Sequence, residues 1–212
     1  MSKRLFAAAA LALSLGFGTA YAQGSIVPPM ATYQGSVTAS GGYTGDVAIG
    51  SATAPITIVE YASLSCPHCA SFHASVFPAL KSAYIDTGKV RFIFRDYPLN
   101  ETAFTATIVA RCGGAENYLQ LASLFLSTQD EWIRAEDWMT RIEEIGVRGG
   151  VDRQRINACF KDGPLFESVN ERKSAAAATH GRFGTPTFII NGQMYRGRDD
   201  FQSMSQALDG IL

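Results

Sequence analysis

Ile56-Thr57-Ile58-Val59-Glu60-Tyr61-Ala62-Ser63-Leu64-Ser65-Cys66-Pro67-His68-Cys69 is the stretch on which the reading of this chain turns. Its first half is short, apolar and rich in β-branched residues, as in a buried strand. After it, Ala70-Ser71-Phe72-His73-Ala74-Ser75-Val76-Phe77 carries apolar residues at helical spacing. The two cysteines are therefore expected at a strand-to-helix turn. Cys66 falls near the N-cap and Pro67 at the first helical position, where its missing N–H costs nothing. A sulfur at that cap faces unpaired backbone N–H groups and the positive end of the helix dipole, which favour the thiolate. Cys69, one turn further in, suits a covered resolving thiol. One activated thiolate with a second sulfur in reach is what thiol–disulfide exchange requires.

Other readings of a CxxC are weaker here. Cys66, Cys69 and His73 spell C-x2-C-x3-H, but no second ligand pair follows at zinc-ribbon or finger spacing. Covalent haem attachment would need a histidine directly after Cys69, and that residue is Ala70. A structural bridge across two residues constrains little of the unfolded chain. The sequence calls for no cofactor beyond the Cys66–Cys69 pair itself.

The first residues have the pattern of an export signal. Lys3 and Arg4 precede an apolar stretch from Leu5 to Gly18, and Ala20-Tyr21-Ala22 has the small-x-small form of a cleavage site. That stretch is short for a membrane span. Cleavage after residue 22 would leave 190 of 212 residues, enough for one domain with a sizeable core. Losing Lys3 and Arg4 takes the formal charge from −1 to −3, so neither nucleic acid nor anionic lipid is an expected partner. All four cysteines follow the signal, and an exported protein can keep disulfides.

Residues 23–45, rich in Gly, Ser, Thr and Pro, read as a flexible arm, or else as a segment anchored by Val27, Met30 and Tyr33. Asp46 to Gly50 is a short strand. The helix after the CxxC is expected to run towards Tyr84, and Lys89 to Pro98 alternates as a second strand, parallel to the first across a βαβ unit. From Glu101 to Gly181 the pattern is helical: Thr102–Cys112, Ala115–Ser127, Ala135–Gly146, Asp152–Lys161 and Pro164–Thr179. Strand signals return at Thr187 to Ile190, with Asn191-Gly192 as a hairpin turn into Gln193 to Arg196. Asp200 to Leu212 closes the chain as an amphipathic helix. This order is that of an α/β thioredoxin-like core, residues 46–100 and 182–212, with an all-helical insertion at 101–181. Four cysteines allow three pairings, and the CxxC accounts for one pair. Cys112 and Cys159 lie on apolar faces of two helices and are expected to form a second, non-catalytic disulfide, the alternative being two buried thiols.

From Asp46 to Leu212 the chain resembles the DsbA-type thiol:disulfide oxidoreductases of the bacterial envelope. The resemblance is carried by Cys66-Pro67-His68-Cys69, by Ile58-Val59-Glu60-Tyr61 ahead of it, by Arg95-Asp96-Tyr97-Pro98-Leu99, and by Gly184-Thr185-Pro186-Thr187-Phe188. It implies that Cys66 is the exposed nucleophile, and that Pro186 is in cis and faces it. Thr185 stands where the best-known oxidases of the family have Val; Thr there also occurs in isomerase and reductase members. His68 is expected to help hold the Cys66 thiolate. Glu60, a carboxylate in an apolar strand, needs a partner or a proton. Arg95 on the next strand is the expected partner, and the two could move protons for Cys69. His73 and His180 read as structural. The backbone of Thr185 would offer an edge to an extended substrate segment.

The expected activity is donation of the Cys66–Cys69 disulfide to reduced or unfolded exported proteins in the periplasm. The resemblance implies a membrane-bound partner that reoxidises the pair. Isomerase or reductase action on the same scaffold is the alternative within enzymes. A secreted binding protein with a structural or metal-holding CxxC is the alternative outside them.

Overall fold

The computed structural model describes residues 32–212. The expected export signal at 1–22, and Val27 and Met30, lie outside the described residues. At the centre are two parallel strands, β3 (Ile56–Ala62) and β4 (Val90–Asp96), with Ile56 opposite Val90 and Ala62 opposite Asp96. Ile56, Ile58, Val90, Phe92 and Phe94 are buried in the principal core. Strands covered in this way read as nearly continuous apolar runs.

The crossover between them holds α1 (Pro67–Ser75), α2 (Phe77–Leu80) and a π-helical turn, Lys81–Ile85. β5 (Thr187–Ile190) lies antiparallel to β3 and turns into β6 (Gln193–Met194) through Asn191 and Gly192. Both turn residues have positive φ, 47° and 83°, as tight hairpins require. On the far side β2 (Asp46–Ile49) pairs antiparallel with β4, and β1 (Thr32–Gln34) with β2. The order across the six described strands is β1-β2-β4-β3-β5-β6.

Between β4 and β5 the chain makes α3 (Glu101–Cys112), α4 (Tyr118–Ser127), α5 (Gln129–Trp132), α6 (Trp138–Arg148), α7 (Arg153–Cys159) and α8 (Gly163–His180). α9 (Phe201–Asp209) closes it. Asn100, Asp152, Asp162 and Asp200 cap α3, α7, α8 and α9, each accepting from a backbone N–H three residues on. Ile108, Leu121, Phe125, Trp132, Ile142 and Ile156 of this block share one apolar core with the sheet. α4 packs on α1, so the helical block covers the helix that carries the CxxC. Cys112 and Cys159, both fully buried, are joined in a disulfide between α3 and α7, with Cα atoms 6.1 Å apart.

Three local expectations are corrected. The segment read as an arm is built in from Thr32 on: it supplies β1, then a bridge between Val37 and Tyr43. Arg111, fully buried, explains this by donating to the carbonyls of Tyr43 (2.8 Å) and Gly45 (2.9 Å) while pairing with buried Asp96. Second, the helix after the CxxC breaks at Val76, since Pro78 follows in the next first turn and cannot donate an interior helix bond. Third, the last strand is two residues, not four, although the Tyr195 N–H still bonds the Phe188 carbonyl at 2.9 Å.

Candidate active site

Cys66 is the N-cap of α1, in extended backbone (φ −84°, ψ 119°), with Pro67 at the start of the helix. The turn that presents it is fixed from both sides. The Cys66 N–H bonds the Ser63 carbonyl at 3.0 Å, and the Ser63 hydroxyl lies 3.2 Å from that of Ser65. From the helical block, the Gln129 side-chain amide donates to the Leu64 carbonyl (2.7 Å) and the Cys66 carbonyl (3.0 Å). Sequence reading missed Gln129, because nothing in its neighbourhood marks a polar residue as reaching the CxxC loop. Its distance in sequence, over sixty residues from the loop it ties, hides it.

The two sulfurs are unequal. Cys66 keeps 5% of its surface exposed and Cys69 none. The Cys66 thiol is drawn down from 9.0 to about 5. The main cause is the hydrogen bond from the Cys69 thiol; burial opposes it, and contacts with Thr185 and the backbone N–H groups of Cys69 and His68 add to the lowering. Cys69 is pushed far the other way by the same hydrogen bond, by burial and by the negative charge of Glu60. Cys66 is thus the more readily ionised of the two, and Cys69 a thiol that stays protonated. Pro67 and His68 are exposed at the mouth of the site. The His68 ring makes no hydrogen bond or ion pair among the described residues, and its visible contribution is its backbone N–H.

The peptide between Thr185 and Pro186 is cis, and the Thr185 carbonyl accepts from Cys66 Sγ at 3.1 Å. The Thr185 hydroxyl is buried with no hydrogen-bond partner among the described residues. Beside this loop runs a groove of about 390 Å³ whose walls include Arg182, Phe183, Pro186, Tyr195, Arg196 and Arg198. Arg198 pairs with Asp200.

Glu60 is fully buried under α1, but Arg95 is not its partner. Adjacent residues of a strand face opposite sides of the sheet. Arg95 stands opposite Tyr61 in the β3–β4 register and bonds the Tyr61 hydroxyl (2.9 Å) and Asp46. Glu60 stands opposite Phe94, and its Oε2 lies 2.7 Å from Nε2 of His73 on α1. His180 packs against the rings of Tyr61 and Phe183. Among the described residues, no three His, Cys, Asp or Glu side chains cluster as metal ligands would.

A sequence model of the thioredoxin family matches residues 43–210, most of the chain. The chain belongs to the thioredoxin family. Among members of known structure it is similar to alpha-DsbA1 of Wolbachia pipientis, at 29% identity and a TM-score of 0.72, covering 78% of this chain and 90% of that one. This thioredoxin-family chain is also 32% identical over 168 residues to a Rickettsia felis protein named "Putative protein-disulfide oxidoreductase". That match takes in 79% of this chain but spans about 60% of the length of the relative. A Bacillus cereus protein named for disulfide bond formation is 26% identical over 80% of each chain.

Proposed function

We propose that this protein is a thiol:disulfide oxidoreductase that donates the Cys66–Cys69 disulfide to reduced proteins folding outside the cytoplasm. The observation that carries the reading is the inequality of the two sulfurs: a cap thiol drawn down to about 5 beside a partner pushed far up. Stabilising the thiolate stabilises the reduced protein, and a dithiol that prefers to be reduced gives its disulfide away readily. The names of the Wolbachia and Rickettsia relatives point the same way.

In the forward reaction a substrate thiolate attacks Cys66 Sγ, forming a mixed disulfide as the Cys66–Cys69 bond breaks and Cys69 takes the electron pair. A second substrate thiolate then attacks the substrate sulfur, closing the substrate's disulfide and releasing Cys66 as its stabilised thiolate. We infer that the Thr185 carbonyl, which reaches Cys66 Sγ, meets an extended segment's backbone, and that the groove beside it, lined by Arg182, Arg196 and Arg198 together with Asp199, takes that segment's side chains. We infer a periplasmic location from the export-like first residues, and a membrane-bound reoxidising protein as the second partner. No helix among the described residues is long and apolar enough to cross a membrane. Thr185 keeps isomerase or reductase action on the same site as the second reading.

The test is oxidative refolding of a reduced, denatured protein with several disulfides. Stoichiometric oxidised wild type should accelerate disulfide formation, and Cys66→Ser should not. Acceleration only in a glutathione buffer, on substrates already mispaired, would favour the isomerase.

A further inference from the structure

Glu60 has a second neighbour that its burial makes consequential. Cys69 and His73 are one helical turn apart on α1, so they share a face, and Glu60 on β3 lies beneath it. Glu60 Oε2 meets His73 Nε2 at 2.7 Å, while Oε1 is buried with no hydrogen-bond partner among the described residues. The carboxylate's negative charge is felt at Cys69. Glu60 and Cys69 are both sealed from solvent, whereas the His73 side chain is 14% exposed.

What His73 opens onto is an apolar cavity of about 320 Å³ between the sheet and α4, walled by Phe77, Phe92, Phe94, Leu119 and Leu126. The rings of Phe72, Phe77 and Phe94 hold the imidazole in place. The charged groups facing it are few. β3 contributes Glu60, α1 the Cys69 thiol, and the π-helical turn Lys81, which is itself paired with Asp86. From α4 come only the uncharged Gln120 and Ser123. Imidazole is the side chain that takes up and releases protons near neutral pH.

We propose that His73 is a positioning residue that carries protons between solvent in this cavity and Glu60, which passes them to and from Cys69. The proposal rests on the exchange reaction given above. When a substrate thiolate attacks Cys66, the Cys66–Cys69 bond breaks and its electron pair stays on Cys69 as a buried thiolate. A proton then passes from the His73 imidazolium through the Glu60 carboxylate to Cys69, leaving Glu60 charged and His73 neutral until water in the cavity reprotonates it. The net change is one proton from solvent to sulfur. Reoxidation runs the same transfers outward.

The experiment measures single-turnover reduction of the oxidised protein by dithiothreitol from pH 5.5 to 8.5, by acid quench and alkylation mass spectrometry. His73→Gln keeps an N–H for Glu60 but carries no titrating proton. Its rate should fall by about a hundredfold or more, the low end of what a positioned proton carrier supplies, with a pH profile that differs from the wild type's. His73→Ala vacates the ring beside the cavity, and added imidazole should restore most of its rate. Denaturation midpoints establish that both variants are folded. A His73→Gln rate and pH profile equal to wild type would overturn the proposal. So would slowing that is uniform across pH and indifferent to imidazole, the mark of a structural role. Failure of the wild type itself to exchange would instead remove the underlying reading.

Discussion

The reduced and oxidised forms should exchange their order of stability as pH rises. In the reduced protein the Cys66 thiol, ordinarily at 9.0, ionises at about 5. Its folded midpoint lies below its unfolded one. The thiolate's contribution is therefore absent below about pH 5, grows through the interval, and is complete above about pH 9. Each pH unit within that window is worth about 1.4 kcal/mol, which gives roughly 2.7 kcal/mol at pH 7. Oxidation abolishes this contribution, because a disulfide sulfur does not titrate. Against it, the Cys66–Cys69 bridge closes a loop of about four residues in the unfolded chain, worth about 2 kcal/mol on the chain-entropy estimate. The two effects cancel close to pH ~6.4. Urea unfolding of both forms between pH 5 and 8.5, with the Cys112–Cys159 bridge intact in each, checks this. The oxidised form should be the more stable at pH 5, and the reduced form by about 1 kcal/mol at pH 7 and roughly 2.5 kcal/mol at pH 8.5. A difference that does not change with pH, or that moves towards the oxidised form as pH rises, would refute the reasoning.

Thr185→Val removes a buried hydroxyl with no partner among the described residues, so urea midpoints should show stability unchanged or raised by about 1 kcal/mol. Because contact with the Thr185 side chain helps to lower the Cys66 thiol, the alkylation midpoint of Cys66 should rise above about 5 while the thiol still meets the Thr185 carbonyl. Replacing Cys112 and Cys159 together by Ser opens a crosslink with a separation of 47 residues, a loss of up to about 4 kcal/mol, with alkylation of Cys66 unaffected. Arg111→Met strands buried Asp96 and frees the Tyr43 and Gly45 carbonyls; a cost of about 3–5 kcal/mol, and faster proteolysis near residues 35–45, should follow.

Features that rest on local pattern were legible in the sequence: the β-branched run of β3, Pro67 behind an N-cap cysteine, the Asn191-Gly192 turn and the periodicity of the helices. What stayed hidden was contact between distant segments. Arg95 looked available to Glu60 and His73 read as structural, and strand register reverses the two: Arg95 pairs across from Tyr61, whose side chain leaves the opposite face. The burial of Tyr43 depends on Arg111, and the fixing of the Cys66 loop on Gln129. Neither residue carries a local mark of its role. Composition marks residues 23–45 as an arm, and for the described part, 32–45, Gly- and Ser-rich sequence gives no sign that a neighbouring guanidinium will bind its carbonyls.

The reduction potential of the Cys66–Cys69 pair tests the central claim most directly. In thioredoxin the reactive cysteine ionises near pH 7 and the couple sits at about −270 mV. Lowering that midpoint to about 5 favours the reduced form at pH 7 by a further ~2.3 kcal/mol, or about 50 mV. Equilibration of the purified protein with glutathione buffers at pH 7, with both forms counted after alkylation, should therefore place the couple near −220 mV or higher. A value at or below about −270 mV would contradict the account, because such a pair would take disulfides from substrates in preference to giving them.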